Sequence, residues 1–288
     1  MQNDGNHKRT MKQNQQYVRA GFQGERGAFS EIAVRQLLGS ESDPIPIEWF
    51  DGVFQALMEK KIDAAVIPME NTLHGSVIEN FDHLLNHDIE VVGETSVRIV
   101  HNLIALPGVA FKDIKEVYSH PVALNQCLKF LHQNPQVEKK TFYDTAGSVK
   151  MLAETKRRDA AAIASNLSAD IYGARILKRG IEDDRANFTR FFLLQRKGGT
   201  VKGKMPPSKK VSIVLSTKNE PGSLFRALAA LALRDISLTK IESRPLKGKP
   251  WEYLFYIDFE GTLKDAKVQN AIRHLEEVAD FLKVLGGY

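Results

Sequence analysis

Near residue 190 the chain places three hydrogen-bonding side chains at the mouth of an apolar run, Asn187-Phe188-Thr189-Arg190-Phe191-Phe192-Leu193-Leu194. The run reads as a strand buried on both faces. Asn187, Thr189 and Arg190 therefore lie where a loop enters a rigid core strand, which positions side chains more firmly than a free loop. A threonine hydroxyl is too weak an acid to ionise at neutral pH. It can instead donate a hydrogen bond, or relay a proton, to an oxygen on which charge builds as it departs. A structural reading stands beside this one: Asn187 and Thr189 shape a turn, and Arg190 pairs at the surface. The remaining strand ends weigh between the two.

From Tyr17 onward, short apolar runs alternate with helical patterns, which predicts a mainly parallel sheet flanked by helices. Strands are expected at residues 18–22, 45–50 and 64–67, each followed by a helix. A β-rich passage over 89–106 interrupts the rhythm, which resumes with strands at 116–118, 140–143 and 160–164 and helices through Leu131, Leu152 and Ile176. Two lobes joined by a β-crossover, with the last segment returning to the first, imply a cleft between them. The βα junctions share one chemistry: Gln23 to Ser30, Glu70 to Ser76 (including Asn71 and Thr72), Ser119-His120, Asp144-Thr145-Ala146 to Ser148, and Ser165-Asn166. Singly these are helix caps. Together they form the C-terminal edges of the sheets, where open α/β folds bind ligands. Helix N-termini present free N–H groups and a positive dipole end, so such a site favours a small carboxylate-bearing molecule.

The 288 residues are enough for two domains, and 43% apolar content is globular. No apolar run approaches the ~20 residues of a membrane span. Residues 1–16 are polar, lack a signal-peptide core and read as a disordered tail. The single cysteine, Cys127, excludes a disulfide within the chain, and a reducing cytoplasm fits best. The net charge of +5 is concentrated in two segments: residues 1–20 carry four basic and one acidic side chain, and residues 196–210 carry six basic and none acidic. With no basic face interleaved with aromatics, nucleic acid is not an expected partner. Gly-x-Gly-x-x-Gly, Walker A, His-Glu-x-x-His and Gly-x-Ser-x-Gly motifs are absent, so no nucleotide cofactor, metal or serine hydrolase is indicated. Cys127 shares a helical face with Leu124, Leu128 and Leu131 and reads as core.

Residues 196–210 form a linker of glycine, proline and charge, followed by a βαββαβ unit over 211–288, the ferredoxin-like order. Its open edges invite pairing with a second copy.

With these blocks in place, the chain over 17–288 resembles prephenate dehydratases. The matching blocks are Gln23-Gly24 through Ser30-Glu31, Pro68-Met69-Glu70-Asn71-Thr72, Ser119-His120-Pro121 with Gln126, Asp144-Thr145-Ala146, and Asn187-Phe188-Thr189-Arg190-Phe191. Residues 211–288 look like an ACT domain, with Pro221-Gly222-Ser223-Leu224 and Glu242-Ser243-Arg244-Pro245 as its regulatory blocks. The resemblance implies conversion of prephenate to phenylpyruvate, carbon dioxide and water in phenylalanine biosynthesis. It also implies a bilobal α/β catalytic domain (17–195) like type 2 periplasmic binding proteins, and feedback inhibition by phenylalanine at ACT interfaces of a dimer or tetramer. Thr189, Asn187 and Arg190 would then be catalytic. Gln23, Ser30, Glu70, Asn71, Thr72, Ser76, Ser119, His120, Gln126, Asp144, Thr145, Ala146 and Phe191 would bind substrate. Arg190 would hold the pyruvyl carboxylate or form a structural ion pair at the hinge. Thr72 replaces the family's usual serine but keeps the hydroxyl. His74 stands where glycine is common and would tune the cleft or face solvent. Arogenate dehydratases share all these motifs, and a non-catalytic anion or amino-acid sensor is the reading from another class.

Overall fold

A computed structural model describes residues 17–201, 208–246 and 248–288. The predicted tail at 1–16, the middle of the predicted linker and residue 247 of a predicted turn lie outside the described residues.

The first lobe runs β1 (Val18–Gln23), α1 (Phe29–Leu38), β2 (Ser42–Ile47), α2 (Phe50–Met58), β3 (Ala64–Asn71), β4 (Gly75–Ser76), α3 (Ile78–Asn86) and β5 (Ile89–Arg98). The second runs β6 (Asn102–Ala105), β7 (Glu116–Ser119), α4 (Pro121–Asn125), α5 (Leu128–His132), β8 (Glu138–Thr141), α6 (Thr145–Thr155), β9 (Ala160–Ala164), α7 (Asn166–Ile171) and β10 (Arg175–Lys178). The chain then returns as β11 (Phe188–Arg196) and ends in β12 (Lys210–Ser216), α8 (Ser223–Ala232), β13 (Leu238–Pro245), β14 (Tyr253–Glu260), α9 (Ala266–Val278) and β15 (Phe281–Gly287).

The sheets are mixed, not mainly parallel. In the first lobe β1 pairs parallel with β2 and β3, while β11 lies antiparallel between β3 and β5. The second sheet, β10-β6-β9-β7-β8, is parallel at β7 and antiparallel at β6. Each reversal occurs where the chain crosses between lobes, because a crossing strand enters its new sheet from the opposite end. The apolar run of β11 is buried on both faces: Leu193 packs with Phe22, Val34 and Val66 on one side, and Phe192 and Leu194 with Phe54, Leu57 and Ile67 on the other.

Two departures from the sequence pattern shape the second lobe. The helix expected through Ile176 stops at Ile171, past which Gly173 (φ 62°) turns the chain so that 175–178 can pair with β6. The helix expected through Leu131 is broken into α4 and α5, because the Asp183 carboxylate accepts from the backbone N–H groups of Leu128 (2.9 Å) and Lys129 (2.9 Å) and caps a new N-terminus.

The C-terminal domain has the expected βαββαβ order, and it is not a separate bead. Its β15 runs beside β5 at Gly286 and Val91, joining both domains in one ten-stranded sheet, β13-β14-β12-β15-β5-β11-β3-β1-β2 with β4 attached to β3. A Cβ on Gly286 would stand 2.1 Å from the Val91 carbonyl oxygen, so this approach requires glycine. Val214, Leu254, Tyr256, Leu285 and Tyr288 share a core with Phe81, Leu84, Val91 and Phe192 of the first lobe. Lys283 Nζ donates to the carbonyls of Leu84 (3.0 Å), Leu85 (3.0 Å) and His87 (2.8 Å), closing the C-terminus of α3.

Candidate active site

Two short irregular segments connect the lobes, residues 99–101 and 181–187. They are tied by Ile99 N–H to Asn187 O (2.8 Å) and Ile181 N–H to His101 O (2.9 Å), and the Glu182 carboxylate accepts from His101 N–H (3.0 Å) and Arg98 (3.0 Å). Away from this hinge the lobes touch at the β1–α1 turn. Ser165 Oγ donates to Gly27 O (2.6 Å), and a Cβ on Gly27 (φ 87°) would lie 2.5 Å from Ser168 Cα. Glu25 binds Tyr143 (2.9 Å) and Lys150 (3.1 Å) of the second lobe.

Between hinge and turn lies a cavity of about 290 Å³. The first lobe contributes Phe29, Asn71, His74, Ser76 and Thr189 to its lining, the hinge Ile99 and His101, and the second lobe His120, Gln126 and Thr145. Asn71, at the end of β3, organises the floor. Its Nδ2 shares two hydrogens among three acceptors, Asn187 Oδ1 (2.7 Å), Phe188 O (3.0 Å) and Thr189 Oγ1 (3.0 Å), and its Oδ1 accepts from the N–H groups of Leu73 (3.0 Å) and His74 (3.1 Å). Because Thr189 Oγ1 accepts from Asn71, its own proton is left for the cavity. Asn187 is fully buried and holds Asn71 in place.

The lining contains no lysine or arginine among the described residues. Two of its imidazoles are disfavoured as cations. Burial pulls the His101 imidazole below its usual range, against its bond to Gln126 and the charge of Glu182, and burial lowers His120 too. Beside the cavity, burial and the Glu25 charge push the Asp144 carboxyl up, although it caps α6 by accepting from Gly147 N–H (2.7 Å). The arrangement offers amide and hydroxyl donors, the Thr189 proton among them, and the N-terminal end of α6 at Thr145.

Of the residues read from sequence, the structure gathers Thr189, Asn71, Ser76, His120, Gln126 and Thr145 on the cavity, with Asn187 bonded to Asn71. Arg190 is elsewhere. Neighbours on a strand point to opposite faces, and Arg190 turns toward the C-terminal domain, bonded to Glu94 (2.6 Å), Asp258 (2.6 Å), Glu70 (3.3 Å) and Tyr288 Oη (2.9 Å). Of its two readings, the geometry is that of the structural ion pair. Glu70 leaves the cavity with it, its other oxygen bonded to Lys240. Burial would raise the Glu70 carboxyl, yet Lys240 and Arg190 hold it below the usual range. Thr72 donates to Ala186 O (2.7 Å) and accepts from Phe188 N–H (3.0 Å), stitching the hinge. Ser119 is buried and bonded to Ile163 O (2.6 Å). Ala146 and Phe191 are core, Ser30 is buried in the first turn of α1, and Gln23 faces a different cavity with Glu48 and Tyr143. A larger cavity of about 680 Å³ lies at the domain junction, but its Glu70, Glu94, Arg190 and Lys210 already neutralise one another.

Sequence reasoning missed Phe29, Ile99 and His101. His101 had a signal, a lone polar pair with Asn102 inside the apolar stretch from Ile99 to Ala105.

In the C-terminal domain, Gly222 (φ 79°) precedes α8, and Ser223 and Leu224 line a cavity of about 120 Å³ with Trp251 and Tyr253. Ser243 and Pro245 are exposed on β13. Glu242 and Arg244 alternate with them and face the first lobe: Glu242 accepts from Ser76 Oγ (3.0 Å), and Arg244 donates to Ile78 O (2.5 Å) and pairs with Asp82 (3.5 Å). Both regulatory blocks sit at one end of the sheet, since Leu254 pairs with Ser216 on one side and Arg244 on the other.

Among the described residues, no helix is long and apolar enough to cross a membrane. The family model for prephenate dehydratase matches residues 20–199, and that for the ACT domain matches 211–277. Arogenate dehydratase/prephenate dehydratase 2 of Arabidopsis thaliana is 44% identical over 94% of this chain and 72% of its own length. Arogenate dehydratase 2 of Petunia hybrida is 43% identical over 94% and 71%. A solved prephenate dehydratase from Arthrobacter aurescens, in complex with L-Phe, superposes with a TM-score of 0.84 at 30% identity, covering 94% of this chain and 89% of that one. The structure described as GqqA, a quorum-quenching acylase, superposes with a TM-score of 0.83 at 30% identity over 94% and 97%. The chain belongs to the prephenate dehydratase family, as an enzyme of phenylalanine biosynthesis with an ACT domain at its C-terminal end.

Proposed function

We propose that the interlobe cavity converts prephenate to phenylpyruvate, carbon dioxide and water, with Thr189 donating its proton toward the departing ring hydroxyl. The observation that carries this reading is the Asn71–Thr189 bond, which occupies the threonine oxygen as an acceptor and leaves its hydrogen free. The C–C bond to the ring carboxylate breaks, its electron pair enters the ring, and the C–O bond breaks at the far carbon. Oxygen leaves as water once protonated, with solvent restoring the threonine. Aromatisation drives the reaction, so the enzyme needs only to hold the ring and stabilise the leaving oxygen. A cavity lined by no lysine or arginine among the described residues suits the other end too, because a strong ion pair would hold back the carboxylate that must leave as carbon dioxide. The pyruvyl carboxylate then rests on neutral donors such as Gln126 and Thr145, and Arg190 serves the domain junction.

Arogenate is the second reading, favoured by the names of the plant relatives. Incubation with prephenate and with arogenate, following phenylpyruvate absorbance and phenylalanine respectively, tests both. Absence of both products would return the cavity to non-catalytic anion binding.

The reading extends to regulation in the cytoplasm by phenylalanine, bound at the α8 N-terminus and the end of β13. Support comes from the L-Phe complex of the Arthrobacter enzyme. Self-association, as dimer or tetramer, is supported by the edge of β13, unpaired among the described residues, with exposed Ile241, and by exposed Phe225 on α8. Light scattering at micromolar concentration should exceed the 32.3 kDa of one chain, and calorimetry should register phenylalanine binding.

A further inference from the structure

Three side chains outside the reacting group form a line across the cleft. His101 Nε2 and Gln126 Oε1 are 2.7 Å apart, and Gln126 Nε2 and His74 Nδ1 are 3.0 Å apart. His74 belongs to the first lobe, Gln126 to the second and His101 to the hinge, so this chain of bonds joins all three bodies. It is anchored at both ends. The His74 backbone N–H donates to Asn71, which also holds Thr189, and His101 is 2% exposed, set edge-on against Phe29 at 5.6 Å with its N–H on Glu182.

The chemistry of the line fixes the direction of its hydrogens. With the Gln126 oxygen on His101, Nε2–H of a neutral imidazole donates to it. The Gln126 nitrogen then donates one hydrogen to His74 Nδ1. Its second N–H has no protein partner among the described residues, and Gln126 lines the cavity. His101 Nδ1 is buried without a partner, so the imidazole gains nothing by swapping tautomers.

We propose that His74 and His101 are positioning residues that determine specificity, holding the Gln126 amide so that an N–H, and not its oxygen, meets the substrate. An N–H recognises a group that accepts, such as a carboxylate or a keto oxygen, and is a poor neighbour for an ammonium. The line therefore favours the keto acid prephenate over its amino counterpart arogenate. This rests on the dehydratase reading above.

The test is steady-state kinetics on both substrates for the full chain and three variants, with melting temperature measured alongside. His74→Gly removes the acceptor. Losing one hydrogen bond of ordinary strength should raise KM for prephenate about 3- to 10-fold with kcat within about 2-fold. The ratio of kcat/KM for prephenate over arogenate should fall by a similar factor. His74→Asn places an oxygen near the Nδ1 position and should restore both values, and His101→Gln keeps a donor near Nε2 and should stay close to wild type. Because His74 is exposed, the two His74 changes should leave the melting temperature in place. An unchanged ratio in His74→Gly, equal losses on both substrates, or failure of His74→Asn to rescue would each overturn the proposal. A wild-type enzyme inactive on both substrates would overturn the dehydratase reading, and the proposal with it.

Discussion

Replacing Arg190 with methionine separates the two roles that its sequence position suggested. The guanidinium side chain is 14% exposed, reaches Glu94, Asp258, Glu70 and Tyr288, and stacks over Phe192 at 4.7 Å. Methionine keeps the stem on Phe192 and removes the charge. Glu94 would retain Lys210 (2.6 Å) and Glu70 would retain Lys240, so neither carboxylate is stranded. Asp258 would be, since its side chain is 7% exposed and its remaining partner is Ser212 Oγ (2.5 Å). Stranding one buried charge costs about 3–5 kcal/mol. At roughly 2–4 °C per kcal/mol for a chain of this order of size, the melting temperature should fall by about 6–20 °C. Circular dichroism would read that fall, and turnover at 20 °C per folded molecule should stay within about 3-fold of wild type. Arg190→Met/Asp258→Asn should recover part of the loss by removing the stranded charge. An unmoved melting temperature with kcat/KM down 100-fold would refute the argument and put the arginine on the substrate.

Thr189→Ala should lower kcat about 100- to 1000-fold with KM little changed, as for loss of one donor to a developing charge, while Thr189→Ser retains more; equal rates for the two variants would end the hydroxyl argument. Glu31 has no exposed side-chain surface; burial opposes its ionisation, yet Gly27 N–H (2.7 Å), Arg35 and Arg26 hold its pKa below the ordinary value. A depressed folded value means the stabilisation is complete above the unfolded pKa of about 4.3 and disappears as pH falls through the folded one. Melting temperature measured from pH 7 to pH 3 should therefore drop less steeply on the acid side for Glu31→Gln than for wild type, and parallel curves would contradict this. Gly286→Ala should open the β15–β5 seam, read as faster limited proteolysis between the domains with the helical signal kept.

The chain order of strands and helices is readable in the sequence because period, turn residues and caps are local signals. Alternation along β11 was readable too, and it sends Arg190 to the face opposite Thr189. Grouping both in one site ignored that geometry. What could not be read is set by contacts between distant residues. Asp183 splits the α4–α5 segment from 55 positions away, and this break carries Gln126 to the cavity. His74 meets Gln126 across 52 positions. Ser119 and Thr72 match the family blocks by type, yet their hydroxyls are consumed by backbone partners that only the folded chain brings near.

The shared sheet bears on how far the two domains can be treated as interchangeable parts. Ending the chain in the 196–210 segment would strip Leu254, Tyr256, Leu285 and Tyr288 from Phe81, Leu84 and Val91, and would uncover β5 where Gly286 meets Val91. Heating should accordingly melt the chain in one cooperative event, with no separate transition for the C-terminal domain. A chimera that borrows that domain from a relative would have to import α3 and β5 with it, because the natural unit of exchange is the interlocked surface and not the linker that appears to separate its halves.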